Sequence, residues 1–253
     1  GRLVEAMALH VIIPARYGSS RFPGKPLVEI AGRPMIQHVM ERAAQAREVH
    51  TVAAATDDQR IAEAVRSFGG MVIMTPAELR SGSDRVARAA AELGLGPTEL
   101  VVNVQGDQPL LPPEVINQVA EPLLRDPGLG MATPVVAITR TEEVTDPNHV
   151  KVVMDQQGRA LYFSRQAVPH PRDGGEVTFY KHLGIYIFRR SFLDKYASLP
   201  SGRLEGIEKL EQLRVLEAGL PIQCVVTECD SPEVDRPEDA LRVASLLAAA
   251  DGV

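Results

Sequence analysis

The stretch Val11-Ile12-Ile13-Pro14-Ala15-Arg16-Tyr17-Gly18-Ser19-Ser20-Arg21-Phe22-Pro23-Gly24-Lys25-Pro26-Leu27 decides how the chain is read. Val11, Ile12 and Ile13 are consecutive β-branched residues, the pattern of a short buried strand. Pro14 ends that strand because proline has no N–H to give to a sheet ladder. The loop that follows carries Gly18, Pro23, Gly24 and Pro26 together with the cations Arg16, Arg21 and Lys25. In an α/β protein, ligands sit outside the carboxyl ends of the strands. Backbone N–H groups freed from the ladder can face phosphate oxygens there, and the cations supply charge. The spacing excludes a Walker-type loop, since five residues separate Gly18 from Gly24 and Pro26 follows Lys25. Phosphates would be held by a looser, extended loop, with Arg16, Arg21 and Lys25 as candidates. A solvated basic loop is the alternative that residue types leave open.

Working outward, the 253 residues suffice for one large α/β domain or a domain with a sizeable insertion, and 45% hydrophobic content permits a full core. The 27 basic and 33 acidic residues give a net charge of −6, which argues against bulk nucleic-acid binding. An acidic chain that gathers cations in one loop points to a small anionic ligand. The apolar runs fall far short of the ~20 residues of a membrane helix, and no signal peptide is read at the start. Cys224 and Cys229 lack partners at zinc spacing and read as small buried thiols. The expectation is a cytoplasmic protein with neither nucleic-acid nor membrane partners.

In chain order, Arg33-Pro34 opens a helical pattern to about Arg47, and Val49 to Ala55 reads as a strand closed by Thr56-Asp57-Asp58. A helix then runs to Phe68, stopped by Gly69-Gly70, and Met71 to Met74 is a third strand. Alternating strands and helices predict a parallel sheet covered by helices. Ser81-Gly82-Ser83-Asp84-Arg85 precedes a helix from Val86 to Leu93. It is either an ordinary cap or a helix N-terminus facing a ligand. Leu100 to Val104 is an apolar strand that delivers Gln105-Gly106-Asp107-Gln108-Pro109. A carboxylate at the end of a central strand is well placed for Mg²⁺, though Gly-Asp-x-Pro is also good turn chemistry.

Pro112-Pro113-Glu114 opens the next helix, to about Leu124. From about 131 to 190 the pattern predicts strands without helices, including a hairpin from Val150-Lys151-Val152-Val153-Met154 to Ala160-Leu161-Tyr162-Phe163. Tyr180 to Phe188 reads as one strand with His182, Gly184, Tyr186 and Phe188 on one face. His182 is either a satisfied core histidine or a site residue. Leu204 to Leu216 reads as one amphipathic helix with Ile207, Leu210, Leu213 and Leu216 as its apolar stripe. Pro221 to Thr227 is a late strand, and Asp235 precedes a proline-opened final helix.

Several of these stretches resemble one family. P-A-R-x-x-S-x-R-x-P-x-K-P-L at 14–27, S-G-S-D-R at 81–85, Q-G-D at 105–107, F-S-R at 163–165, K-H-x-G-x-Y at 181–186, L-E-Q-L-R at 210–214 and V-D-x-P-x-D at 234–239 occur in the order of the sugar-nucleotide transferases that activate acidic sugars with CTP. The chain is most similar to the branch acting on 3-deoxy-manno-octulosonate. The resemblance implies an α/β, Rossmann-like nucleotide-diphospho-sugar transferase fold: a mixed, mostly parallel sheet with a β-rich antiparallel insertion. It implies a nucleotide-binding core at 7–130 and 200–253, and an insertion at 131–199 for sugar binding and dimer contact.

It further implies Mg²⁺ held by Asp107 and Asp235, with Lys25 and Arg16 in the catalytic set. Nucleotide contacts would come from Arg16, Ser20, Arg21, Lys25, Gly82, Ser83, Arg85 and Gln105. The acidic keto-sugar would meet Arg165 as carboxylate clamp, with His182, Tyr186, Glu211 and Gln212. The implied protein is a homodimeric enzyme of lipopolysaccharide-type glycan synthesis that uses CTP. Transfer to a sialic acid or to an 8-amino analogue is the enzymatic alternative, and a non-catalytic nucleotide-binding protein on the same fold is the alternative class. The chain departs from the family pattern at Leu79, where a histidine is expected, at Ser83 for threonine, and at Gln108 for glutamate. The reading requires Asp107 and Asp235, far apart in sequence, to meet.

Overall fold

A computed structural model of the chain describes residues 7–251. Its first half alternates strands and helices. β1 (Leu9–Pro14) is followed by a small hairpin, β2 (Glu29–Ile30) and β3 (Arg33–Pro34). Then come α1 (Met35–Ala43), β4 (Val49–Thr56), α2 (Gln59–Ser67), β5 (Met71–Met74), α3 (Gly82–Glu92), β6 (Leu100–Val104) and α4 (Pro113–Arg125). The second half contains β7 (Met131–Ala137), α5 (Thr141–Thr145), β8 (Lys151–Met154), β9 (Ala160–Ser164), β10 (Tyr180–His182), β11 (Ile185–Arg189), α6 (Arg190–Ser198), α7 (Arg203–Glu208), α8 (Leu213–Glu217), β12 (Gln223–Thr227) and α9 (Pro237–Asp251).

A ten-stranded mixed sheet runs in the order β5-β4-β1-β6-β11-β7-β10-β8-β9, with β12 paired to β7. β5, β4, β1 and β6 are mutually parallel. β11 joins β6 antiparallel, so the strands of 131–199 are hydrogen-bonded into the same sheet. Val11, Ile12, Ile13, Val101, Val102 and Val104 are fully buried, as expected of strands covered on both faces. Ile13 and Val102 face one core cluster with α1 and α4, while Ile12 and Val101 face the other with α3 and α6. The chain leaves β1 toward β4 on one side and returns to β6 on the other. The crevice between the ends of β1 and β6 is therefore a topological switch point, where such sheets bind ligands.

The structure departs from the sequence-based expectations at several places. α1 ends at Ala43, short of Arg47, and α3 starts at Gly82, because Ser81 accepts the Asp84 N–H at 3.1 Å and caps it. The short helix α5 interrupts the stretch expected to be all strand. The strand expected over Tyr180 to Phe188 divides at Leu183-Gly184 into β10 and β11, which pair with β7 in registers two residues apart. A slip of two keeps the side-chain parity, so His182, Tyr186 and Phe188 still stack in sequence, with centroids 5.3 and 5.8 Å apart. The helix expected over 204–216 is broken where Lys209 adopts φ 55°, leaving α7 and α8, and Ile207 is 64% exposed instead of lying on an apolar stripe.

Arg189, at the end of β11, is 7% exposed and donates to four carbonyls: Leu129 (3.1 Å), Leu123 (2.7 Å), Asp126 (3.2 Å) and Thr98 (3.4 Å). It fastens the end of α4 to the sheet. Replacing it leaves buried acceptors unsatisfied. Arg189→Met is expected to lower unfolding stability by about 3 kcal/mol, read as a shifted urea midpoint; an unchanged midpoint would refute this role.

Candidate active site

The loop after β1 closes on itself through a hydrogen bond from the Gly24 N–H to the Tyr17 carbonyl at 2.8 Å. Gly24 sits at φ 70°, and a Cβ there would lie 3.1 Å from the Tyr17 ring, so both backbone and space call for glycine. Closure returns the chain toward the sheet, and a 3-10 turn at Lys25–Leu27 aims Lys25 across the switch point. Its Nζ lies 3.3 Å from Asp107 Oδ2 and 3.8 Å from Asp235 Oδ1. Asp107 hangs from the end of β6. The segment carrying Asp235 is held beside it by the Val234 N–H, which donates to the Asp107 carbonyl at 2.8 Å. Asp239 accepts from the N–H groups of Asp235 and Arg236, both at 3.0 Å, fixing that segment to the start of α9.

The two aspartates thus meet, and a third carboxylate joins them. Ligand oxygens of Asp107, Glu233 and Asp235 all lie within 4.8 Å of one another. Glu233 is not among the residues the sequence singles out. Its only sequence signal is alternation: it shares a side with Asp235 across Val234, which is fully buried. Burial holds the Asp107 carboxyl above the usual carboxylate range; Lys25 pulls it down and Asp235 pushes it further up. Burial, with Asp107 and Asp235 adding, pushes Glu233 up to about 8. Asp107 Oδ1 is buried without a hydrogen-bond partner. Hard oxygen donors and an unpartnered carboxylate atom fit a magnesium ion.

Two clefts adjoin at this cluster. The smaller, about 300 Å³, is lined by Arg16, Lys25, Gly82, Gln105 and Asp107. Arg16 is exposed and donates to the Leu79 carbonyl at 2.7 Å, so position 79 contributes backbone where a histidine side chain was expected. The larger, about 680 Å³, is lined by Arg165, His182, Tyr186, Glu211, Gln212 and Asp235, and also by Arg21, which does not line the smaller one. Gln105 belongs to both.

Ser20, Ser83 and Arg85, expected at the nucleotide, line neither cleft. Ser20 is exposed. Ser83 is buried, its hydroxyl donating to Glu211 Oε1 at 2.9 Å. Arg85 is fully buried under β5, bonded to Thr75 and the Pro76 carbonyl and 3.6 Å from Asp57. The cap that the sequence offered as one alternative is present, and Ser83, Asp84 and Arg85 of α3 are buried.

On the larger cleft, Arg165 gives Nε–H to the Glu208 carbonyl (2.7 Å), Nη1 to Pro147 (2.9 Å) and Nη2 to Lys209 (3.3 Å). A guanidinium has five N–H donors, so two remain for a ligand. The Glu208 and Lys209 carbonyls lie at the break after α7. Thr133 donates its hydroxyl to the Ile185 carbonyl at 2.7 Å and therefore accepts from His182 Nε2–H, also at 2.7 Å. His182 is the Nε2–H tautomer with a free Nδ1 lone pair. Its ring packs against Phe163 and Tyr186 with centroids 5.1 and 5.3 Å away. Burial lowers its pKa from 6.5 to about 3, and burial with Glu211 holds the Tyr186 hydroxyl protonated. Burial raises Glu211 as well, against the Ser83 hydrogen bond that lowers it.

A sequence model described as cytidylyltransferase matches residues 10–240. The chain belongs to the cytidylyltransferase family. Among its relatives, a 3-deoxy-manno-octulosonate cytidylyltransferase of Desulfatibacillum aliphaticivorans is 58% identical over 95% of this chain and 99% of its own. An 8-amino-3,8-dideoxy-manno-octulosonate cytidylyltransferase of Shewanella piezotolerans is 53% identical over 97% of this chain and 100% of its own. The solved structure of a CMP:2-keto-3-deoxy-manno-octonic acid synthetase complexed with CTP superposes with a TM-score of 0.90 at 42% identity, covering 96% of this cytidylyltransferase and 99% of that chain. The α/β nucleotidyltransferase fold implied by the sequence is therefore the one observed.

A neutral His182 has a direct consequence. In the unfolded chain a histidine titrates near 6.5, whereas in the fold it stays neutral down to about 3. Its contribution to stability is thus present above pH 6.5 and is lost as pH falls between these values. The His182 ring signals in ¹H–¹⁵N NMR are expected to keep the Nε2–H pattern unchanged from pH 8 to pH 5; titration near 6.5 would reject both the tautomer and the burial.

Proposed function

We propose that this chain transfers CMP from CTP to 3-deoxy-D-manno-oct-2-ulosonate, releasing pyrophosphate, with Mg²⁺ as cofactor. The observation that carries the reading is the meeting of Asp107 and Asp235 beside Lys25, where a cleft under the basic β1 loop adjoins a larger one. The names of the 58% and 54% identical relatives, and the CTP complex of the 42% identical structure, support the substrate pair. Retention of both carboxylates argues against a non-catalytic nucleotide binder.

In this reaction the anomeric oxygen of the sugar bonds to the α-phosphorus as the bond from that phosphorus to the pyrophosphate oxygen breaks, and the hydroxyl proton leaves to solvent. Such chemistry depends on positioning and charge neutralisation. Arg16 and Lys25 offset the charge of the triphosphate in the smaller cleft. The two spare donors of Arg165 meet the sugar carboxylate in the larger one, and His182 Nδ1 accepts from a sugar hydroxyl. Asp107 and Asp235 would hold magnesium, which when bound offsets phosphate charge and lowers the pKa of a nearby hydroxyl.

Pyrophosphate release is expected with CTP far above UTP or ATP, and with the eight-carbon keto-sugar above its 8-amino analogue or a sialic acid. Chelation of divalent cations should abolish it, and Asp107→Asn should reduce turnover at least ~10²-fold in a folded protein. Wild-type rates from that variant in saturating Mg²⁺ would reject the metal role.

The family resemblance extends the proposal to a cytoplasmic homodimer. No helix among the described residues is long and apolar enough to cross a membrane. Light scattering should give twice the 27.4 kDa chain mass; a single-chain mass at micromolar concentration would overturn the dimer.

A further inference from the structure

We propose that Glu233 is a third carboxylate of the divalent-cation centre and that Gln108 is the residue that positions it. The inference rests on the metal reading of Asp107 and Asp235 and adds to it a residue that the family's two-aspartate pattern does not contain.

Geometry comes first. Glu233 offers an oxygen within 4.8 Å of ligand oxygens from both Asp107 and Asp235. The segment is not free to swing away. Val234 is fully buried between the two acids and its N–H is bonded to the carbonyl of Asp107. The backbone that fixes Asp235 therefore fixes Glu233 on the same side.

Gln108 supplies the second half. It is fully buried. Ser231 donates its hydroxyl to Gln108 Oε1 at 3.0 Å, which sets the amide orientation and leaves the NH₂ directed at Glu233 Oε1, 3.5 Å away. Gly184 keeps the space open: a Cβ there would lie 3.3 Å from Gln108 Nε2 and 3.8 Å from Glu233 Oε1. An amide at 108 supports a carboxylate at 233. The glutamate of the family pattern at 108 would instead set a fourth carboxylate against it, at a like-charge cost in a half-buried site. The departure at Gln108 and the acid at 233 thus form one arrangement.

Donor chemistry agrees. The three acids supply hard oxygen ligands, and Asp107 Oδ1 is buried without a partner, so the cluster has the donors to take a cation before nucleotide arrives.

The test is Mn²⁺ alone, titrated into the full chain without nucleotide and followed by the EPR signal of the free ion, alongside melting temperatures with and without Mn²⁺. Wild type is expected to bind Mn²⁺. Glu233→Gln and Gln108→Ala should each weaken binding about 10-fold or more, and Asp107→Asn should weaken it as well. Metal-free Glu233→Gln should melt no lower than wild type, since an acid crowded by two others is replaced by its neutral isostere, while its Mn²⁺-induced rise shrinks. Wild-type Mn²⁺ affinity in Glu233→Gln, with Asp107→Asn weakened, overturns the role of Glu233 alone. Wild-type affinity in Asp107→Asn overturns the metal centre and this inference together. A lower metal-free melting temperature with an unchanged Mn²⁺-induced rise in Glu233→Gln marks a structural residue and also overturns it.

Discussion

Lys25 standing between the carboxylates of Asp107 and Asp235 is the contact on which the site depends. It joins three parts of the chain that have no local reason to meet: the loop after β1, the end of β6 and the segment before α9. Each reaches that point for its own reason. Gly24 lets the first loop close, β6 ends at the switch point, and the Val234 N–H ties the last segment to Asp107. A lysine alone cannot neutralise the carboxylates gathered there, and burial raises the cost of leaving them charged. The fold gathers these carboxylates at one point, with two clefts adjoining it.

The second half of the sheet serves the larger cleft. β10 and β11 act as one strand bent at Leu183-Gly184, so that its first part pairs with β8 and its second with β6. His182 and Tyr186 line the wall of the cleft on either side of that bend, together with Leu183 and Gly184. Lys181, on the opposite side of His182 from Tyr186, is buried against Glu143 (2.9 Å) and Asp230 (2.8 Å). Burial works against its charge, but those two hydrogen bonds outweigh it and keep the ammonium charged.

Much of this was legible in the sequence, and the reasons differ by element. The parallel strands announced themselves because they are buried on both faces and therefore apolar throughout, as in Val11-Ile12-Ile13 and Leu100-Val101-Val102. The 3.6 periodicity of 204–216 was visible, yet its break was not, since lysine at 209 carries no signal for a left-handed backbone. Arg85 resembled a ligand contact by motif, but it is buried, bonded to Thr75 and the Pro76 carbonyl and close to Asp57. Asp107 could be read from its place at a strand end. Asp235 could be assigned only by resemblance. Glu233 had only its alternation with Asp235 as a marker, because what makes it notable is proximity to Asp107, distant in sequence.

The Arg16 tether to position 79 has an evolutionary corollary. The acceptor is a main-chain oxygen, which every amino acid carries. The identity of residue 79 is thus decoupled from the orientation of the guanidinium, and drift at that site can proceed without disturbing the arginine. A contact made this way leaves no fingerprint in the genetic record, even while it constrains the path of the loop.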